Sequence, residues 1–374
     1  LSDDYCVRFY EYGDEEKLVK LLDDVFRGWP RQDITCSKID YWRWKHLDNP
    51  VSESIMLVTE IGEEIVGSNN SVPMNVRLGN DEFLCVIGTD LAVHREHRRK
   101  GIRTRQRIKK MERLLPRGVA YSYHMTGNPI LIESGEKENL PKFPHPVAPY
   151  VIIKDIDLHI SKMPVDDAWL KKLGYRTLEA LNKIENQLVT IPKNEDIFIE
   201  KIDKLGSDFD IFWDRISKQF DYIGVRNRKY INWRYCDPRA GNYSVYLAKE
   251  GDKVLGYIVV CINSFMKDYP VGFVVDLLTH PDHIEASYSL LDEALRYFTN
   301  NKINVVNSLV VKGGIFEIPF SRKGFLDSRI RLQVFMRPMS KNDIYEILSS
   351  YKPERVHFSW GDHDSLPLQT RLDS

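Results

Sequence analysis

Residues 91–110 read Leu91-Ala92-Val93-His94-Arg95-Glu96-His97-Arg98-Arg99-Lys100-Gly101-Ile102-Arg103-Thr104-Arg105-Gln106-Arg107-Ile108-Lys109-Lys110. An apolar stretch from Phe83 leads into a basic turn at Arg98-Arg99-Lys100-Gly101. A helical pattern follows, marked by Ile102, Ile108, Met111 and Leu114. Strand, short basic glycine turn and helix form a device for holding a pyrophosphate. The first N–H groups of a helix lack an intrahelical partner and point at the ligand, and the helix dipole favours its negative charge. Gly101 has no Cβ, so the backbone can approach phosphate oxygens closely. Between Arg95 and Lys110 there are nine Lys/Arg against one acid, Glu96. Positive charge at a helix N-terminus opposes the dipole, so the cluster points to an anion nearby.

The rest of the composition is ordinary. The chain has 374 residues, 43% hydrophobic and 29% charged, with net charge −1. That is enough chain for two or three globular domains. The near-zero charge gives no global drive toward nucleic acid or membrane. A basic helix can grip phosphates, but no aromatic stacking platform accompanies this one. No apolar run reaches the ~18–20 residues of a membrane helix. Cys6, Cys36, Cys85, Cys236 and Cys261 are scattered without metal-ligand or disulfide-framework spacing, which suits a reducing cytoplasm. No metal is expected: the tail sequence Asp362-His363-Asp364 is a poor motif without further ligands.

The chain also resembles itself. Trp44-Lys45-His46 with Asp48-Asn49-Pro50 recurs as Trp233-Arg234-Tyr235 with Asp237-Pro238. The turn Gly62–Gly67 recurs as Gly251–Gly256, again 189 residues later, and Asp90-Leu91 with His94 recurs as Asp276-Leu277 with His280, 186 later. Conserved order and spacing over three blocks predict two copies of one fold. Each copy reads as a strand, a helix (Leu18, Leu21, Leu22, Val25 and Phe26 in the first), a second helix with the tryptophan block, a hairpin, two longer strands, a turn and a helix. Further strands are predicted near Val119–His124 and Val305–Val311, with a last one at Arg331–Met336. Where the first copy has His94–Gly101, the second has His280–Ser287, without the glycine and without any Lys or Arg. One anion site is therefore expected, in the first copy.

Arg98-Arg99-Lys100-Gly101-Ile102-Arg103 resembles the acyl-CoA signature of the GNAT acetyltransferases, Arg/Gln-x-x-Gly-x-Gly/Ala, with Arg103 in place of the last small residue. A variant ending in a large residue is similar to the Eis-type branch. The resemblance covers roughly residues 5–160 and 196–340. It implies an α/β (α+β) protein of two tandem GNAT-like domains, each a mixed, mostly antiparallel sheet flanked by helices. The implied division is an acyl-CoA-binding domain at 1–160, a helical connector at 161–195, a degenerate domain at 196–340 and a tail at 341–374.

The resemblance also implies roles. Arg98, Arg99, Lys100, Gly101, Ile102, Arg103 and Thr104 would hold the CoA phosphates. Leu91, Ala92 and Val93 would pair with the pantetheine arm and polarise the thioester carbonyl. Asn128 would bond pantetheine or cap the following helix. An amine with pKa near ~10 must lose a proton before attack, which makes Asp90 a candidate base, although Asp276 holds the same place in the second copy. On the strand after the basic helix, His124 suits proton transfer and Tyr123 could protonate the leaving thiolate; alternate residues face opposite ways, so only one of the two faces the cleft. The tyrosine acid usual downstream of Asn128 is missing. Together these imply a cytoplasmic N-acetyltransferase that moves an acetyl or other short acyl group from acetyl-CoA to an amine, such as an amino sugar, in a ternary complex. The alternatives are a Fem-like aminoacyl-tRNA-dependent transferase and a silent acyl-CoA sensor.

Overall fold

The computed structural model describes residues 5–162, 196–330, 332–339, 344–364 and 366. Residues 163–195 of the expected connector lie outside them. Two seven-stranded mixed sheets make up the molecule. In the first, β1 (Cys6–Phe9), β2 (Ile55–Ile61), β3 (Glu64–Leu78), β4 (Asp81–Val93) and β5 (Tyr121–Thr126) lie in order. In the second, β6 (Val147–Ile153) adjoins β12 (Val305–Val311), followed by β11 (Val271–Thr279), β10 (Lys253–Asn263), β9 (Tyr243–Glu250) and β7 (Ile197–Ile202). The strand β8 (Tyr222–Gly224) pairs with β3, and β13 (Leu326–Asp327) with β6. Among the described residues, β4–β5 and β11–β12 are the strand pairs that run parallel.

The sheets exchange strands. The last strand, β14 (Gln333–Pro338), pairs antiparallel with β5 and closes the first sheet. Meanwhile β6, which comes from the first half of the chain, pairs antiparallel along all of β12. The core is accordingly shared: Tyr121 and Tyr123 of β5 belong to one buried apolar cluster with Tyr257, Phe273 and Leu309 of the second sheet.

Helices α1 (Glu15–Phe26) and α2 (Lys38–His46) cover one face of the first sheet, and α3 (Ile102–Leu114) the other. The spacing of Leu18, Leu21 and Leu22 buries one stripe of α1, and Ser37 caps α2 by accepting from the Asp40 amide. Trp44 on α2 stacks on Trp233 at 5.0 Å and 24°. Each indole N–H donates to the other residue's carbonyl, at 3.0 and 3.2 Å. The remaining helices used below are α4 (Pro129–Lys137), α5 (Ile156–Ser161), α6 (Asp208–Ile216), α7 (Arg228–Ile231) and α8 (Ile284–Asn300). Among the described residues, no helix is long and apolar enough to cross a membrane.

Candidate active site

The β4 and β5 strands pair at Cys85–Ile87 with Tyr121–Tyr123 and then part. Beyond Ile87 each runs on, β4 to Val93 and β5 to Thr126, along a gap. A cavity of about 530 Å³ occupies that gap and passes through the sheet. On the α3 side it meets Arg103, Arg107, Lys110, Ser122, His124 and Arg337. On the α1–α2 side it meets Trp29, Tyr41, Lys45, Asp90 and Asp364.

At the outer end of the α3 side lies the basic turn. Gly101 is the N-cap of α3 with φ +74°, and Arg99 has φ +64°. Glycine adopts this left-handed conformation at no steric cost, and a Cβ on Gly101 would meet nothing within 4 Å. No side chain caps α3, so the amides of Ile102, Arg103 and Thr104 have no intrahelical acceptor. Arg98, Arg99 and Lys100 are exposed beside them, and the Arg98 Nε donates to the Val93 carbonyl at 3.2 Å. These groups fit a pyrophosphate. The second sheet lacks such a turn: Ile284–Ser287 form the first turn of α8. Ser287 is buried, with its hydroxyl 2.6 Å from that of Thr279.

The β4 edge carries a bulge. The register with β3 shifts between Ser68 and Asn70, and Asp90 sits at φ +49°. A bulge adds a residue and re-aims side chains; here Thr89 and Asp90 both reach Lys45 Nζ, at 2.9 and 3.0 Å. Leu91 lines the cavity, Ala92 is buried under α1 and α2, and Val93 lies outside.

Asp90 is a saturated carboxylate. Its Oδ1 accepts from Trp29 Nε1 at 2.9 Å, and its Oδ2 from Lys45 Nζ and His46 Nε2, both at 3.0 Å. Burial would raise its pKa, but Lys45 and His46 outweigh burial and hold it well below the usual carboxylate range. The expected role as base does not fit this geometry; Asp90 positions Lys45 and His46. Burial opposes charge on Lys45, yet Asp90 and Asp364 keep it an ammonium. Burial keeps His46 neutral. An ionised carboxylate only accepts, so His46 Nε2 carries the proton and its Nδ1 accepts from Ser54 Oγ at 3.1 Å. Asp364 Oδ2 accepts from Lys45 at 3.2 Å and from the Thr89 hydroxyl.

The two faces of β5 separate the other candidates. Tyr123 points into the shared core and is 2% exposed, with its hydroxyl donating to the Asp362 carbonyl at 2.7 Å. Burial raises its pKa well above normal. The expected acid role therefore does not fit Tyr123. His124 lines the cavity and stacks on Phe335 at 5.5 Å. Burial, then Arg103, His363 and Arg337, lower its pKa to about 4, so its imidazole is neutral at physiological pH. Asn128 lines the cavity and caps α4, accepting from the Ile130 amide at 2.9 Å.

Sequence reading missed Trp29, Lys45, Lys110 and Arg337, and named Asp364 only within the polar tail run Asp362-His363-Asp364. Lys45 was visible only as part of the repeated block, and Arg337 reaches the site only because β14 crosses to the first sheet. Glu138 pairs with Arg107 at 2.5 Å and with Arg337. Burial opposes its charge, but Arg337 and Arg107 lower its pKa.

Residues 7–130 match the family model described as Acetyltransferase (GNAT) domain. Among solved structures the chain is similar to Saccharomyces cerevisiae N-myristoyltransferase with bound myristoyl-CoA (TM-score 0.61, 13% identity, 96% of this chain and 90% of that one). A conserved Enterococcus faecalis protein of unknown function, described as a probable N-acyltransferase, aligns at TM-score 0.54 and 11% identity over 89% of this chain and 71% of that one. No curated protein sequence matches. The GNAT acetyltransferase domain match thus falls on residues 7–130, about a third of the chain, and the chain as a whole shares its fold with the solved N-myristoyltransferase.

Proposed function

We propose that the protein is an N-acyltransferase that moves an acetyl or other short acyl group from acyl-CoA to an amine by direct attack in a ternary complex. The observation that carries this reading is the cavity through the parted β4 and β5 strands, lined by Arg103 from the first turn of the uncapped α3 and by Asp364. The CoA diphosphate would rest on the amides of Ile102 to Thr104 and on Arg98, Arg99 and Lys100. Pantetheine would lie along Leu91 to Val93, with Asn128 across from it. A β4 amide would stabilise the oxyanion.

The acceptor enters from the α1–α2 side. There Lys45 and Arg31 stand against Asp90 and Asp364, so the wall is balanced in charge, and Asp364 offers an acceptor amine a polar contact. The amine's proton passes to water in the cavity. Burial would raise the pKa of Asp364, but Lys45 and His363 hold it below the usual carboxylate range, as Lys45 does Asp90, and burial leaves His124 a weak base. The free amine then attacks the thioester carbon; the C–N bond forms, the C–S bond breaks, the nitrogen gives up its surplus proton to solvent, and the departing CoA thiolate takes one up. The cavity wall sets Arg107, Lys110 and Arg337 among Met111, Leu114, Leu131 and Leu140, and we take the charged groups as the reason for a short acyl group. The absence of a phosphate turn before α8 favours one donor site per chain, and the reciprocal Trp44–Trp233 contact supports two copies of one fold.

Calorimetric titration with CoA and acetyl-CoA tests the reading: one site per chain is expected, followed by thiol release when an amine panel is added. Folded protein that binds no CoA would overturn it.

A further inference from the structure

Lys110 is the unexplained group in the cavity. It sits on the inner face of α3, eight residues beyond Ile102, so ~12 Å from the helix start where phosphates would bind. The residue is 8% exposed and lines the cavity. Its Nζ donates to the Asn69 side chain, to the Asn70 carbonyl at 3.3 Å and to Ser71 Oγ at 3.0 Å, all neutral acceptors. No carboxylate among the described residues pairs with it. Glu138 is engaged by Arg107 and Arg337. Burial alone acts on its ionisation, pulling its pKa down to about 7. Burying a cation without a counter-ion is costly, and perturbed groups of this kind concentrate at functional sites.

The position of Lys110 relative to the donor edge specifies the missing anion. Ser71 is the cross-strand partner of Gly88, and strands are ~4.8 Å apart. Gly88 has no side chain, leaving the sheet surface open between the Lys110 amine and the start of the gap. A chain of a few carbons from a thioester on the β4 edge would end at Lys110.

We propose that the acyl group this cavity accepts ends in a carboxylate, and that Lys110 is the residue that receives it, making the donor a CoA thioester of a short dicarboxylic acid. The inference rests on the acyl-CoA reading above. CoA phosphates do not serve as the anion, because their site lies two helical turns away and has its own cations. When the carboxylate binds, it restores the proton of Lys110, so binding at pH 8 takes up a proton from the buffer.

The test is calorimetry of the full chain with CoA, acetyl-CoA and succinyl-CoA at pH 8, in two buffers of different ionisation enthalpy. Succinyl-CoA is expected to bind about tenfold tighter than acetyl-CoA or better, with proton uptake that acetyl-CoA does not show. In Lys110→Met, succinyl-CoA should fall to the acetyl-CoA level and the proton uptake should vanish. If that variant does not fold, the two wild-type signatures decide alone. Equal affinities, or a preference that survives in Lys110→Met, overturn the inference while CoA binding keeps the acyltransferase reading. Loss of binding to CoA itself overturns both.

Discussion

Replacing Lys110 with methionine should change how stability depends on pH, in a direction set by burial. In the unfolded chain the ammonium titrates at its ordinary value of 10.5; in the fold it titrates at about 7. Between these values the unfolded state binds more protons, so stability rises with pH through the window and falls as pH drops from 10.5 to 7. The slope approaches ~1.4 kcal/mol per pH unit. From pH 7 to 9 the wild-type protein should therefore gain about 2 kcal/mol from this residue. Methionine has nearly the same length and no proton, so the variant should lack that increment. It also loses hydrogen bonds to Asn69, Asn70 and Ser71, worth ~1 kcal/mol each, but that cost is the same at every pH. Urea unfolding of both proteins at pH 7, 8 and 9 measures the difference, because titrations elsewhere cancel between them. Parallel pH dependences would show that Lys110 is charged throughout, held by an anion the reasoning has not counted.

Three further outcomes are expected. Gly101→Glu should weaken CoA binding more than tenfold in a calorimetric titration, because it adds charge where phosphate rests; the left-handed φ costs ~1–2 kcal/mol and the space is open. The control belongs at Asp282, whose side chain is 84% exposed at the turn before α8: Asp282→Lys should leave CoA affinity unchanged, whereas buried Ser287 cannot serve. Asp90→Asn should destabilise the fold by about 3 kcal/mol in denaturant titration, because Lys45 loses one of two counter-ions inside the core. Asp364→Asn removes the other counter-ion of Lys45 and should also cost stability; in the folded protein it should lower kcat in a thiol-release assay with the KM for acyl-CoA little changed, since it stands on the acceptor side.

How much of this was legible in the sequence depends on the range of each interaction. The phosphate turn is local: glycine, basic residues and the first turn of α3 are contiguous, so chemistry and geometry coincide in one short run. The strand Val305–Val311 likewise stood out as one apolar run and occupies that range in the structure. Asp90 looked like a base because a lone carboxylate at the end of a strand reads as reactive. Only the fold shows Trp29 and Lys45, separated by sixteen residues in sequence, converging on it. Tyr123 and His124 posed a question of parity, and the alternation of Tyr121, Tyr123 and Met125 with the polar Ser122, His124 and Thr126 already pointed the tyrosines to the core. The second sheet settles it by covering the Tyr123 face.

The exchange of strands explains why the remaining residues were invisible. A sequence that repeats predicts two self-contained units, each closed by its own last strand. Here β14 is hydrogen-bonded to β5, with Arg337 opposite Ser122 and Phe335 opposite His124, so residues more than two hundred positions downstream wall the first sheet's cavity. The tail repeats the logic. Asp362 pairs with buried Arg226 at 2.6 Å, which also binds Asp276 at 2.7 Å, and this ion-paired core anchors the chain so that Asp364 reaches Lys45 two residues later. Asp276 and Asp90, matched in the repeat, thus hold different cations for different ends. Around Asp276 the network fixes the tail; around Asp90 it holds the lysine that the tail then meets. The half without a phosphate turn is in this way indispensable to the half that has one, since it supplies both the arginine of the donor wall and the carboxylate of the acceptor wall.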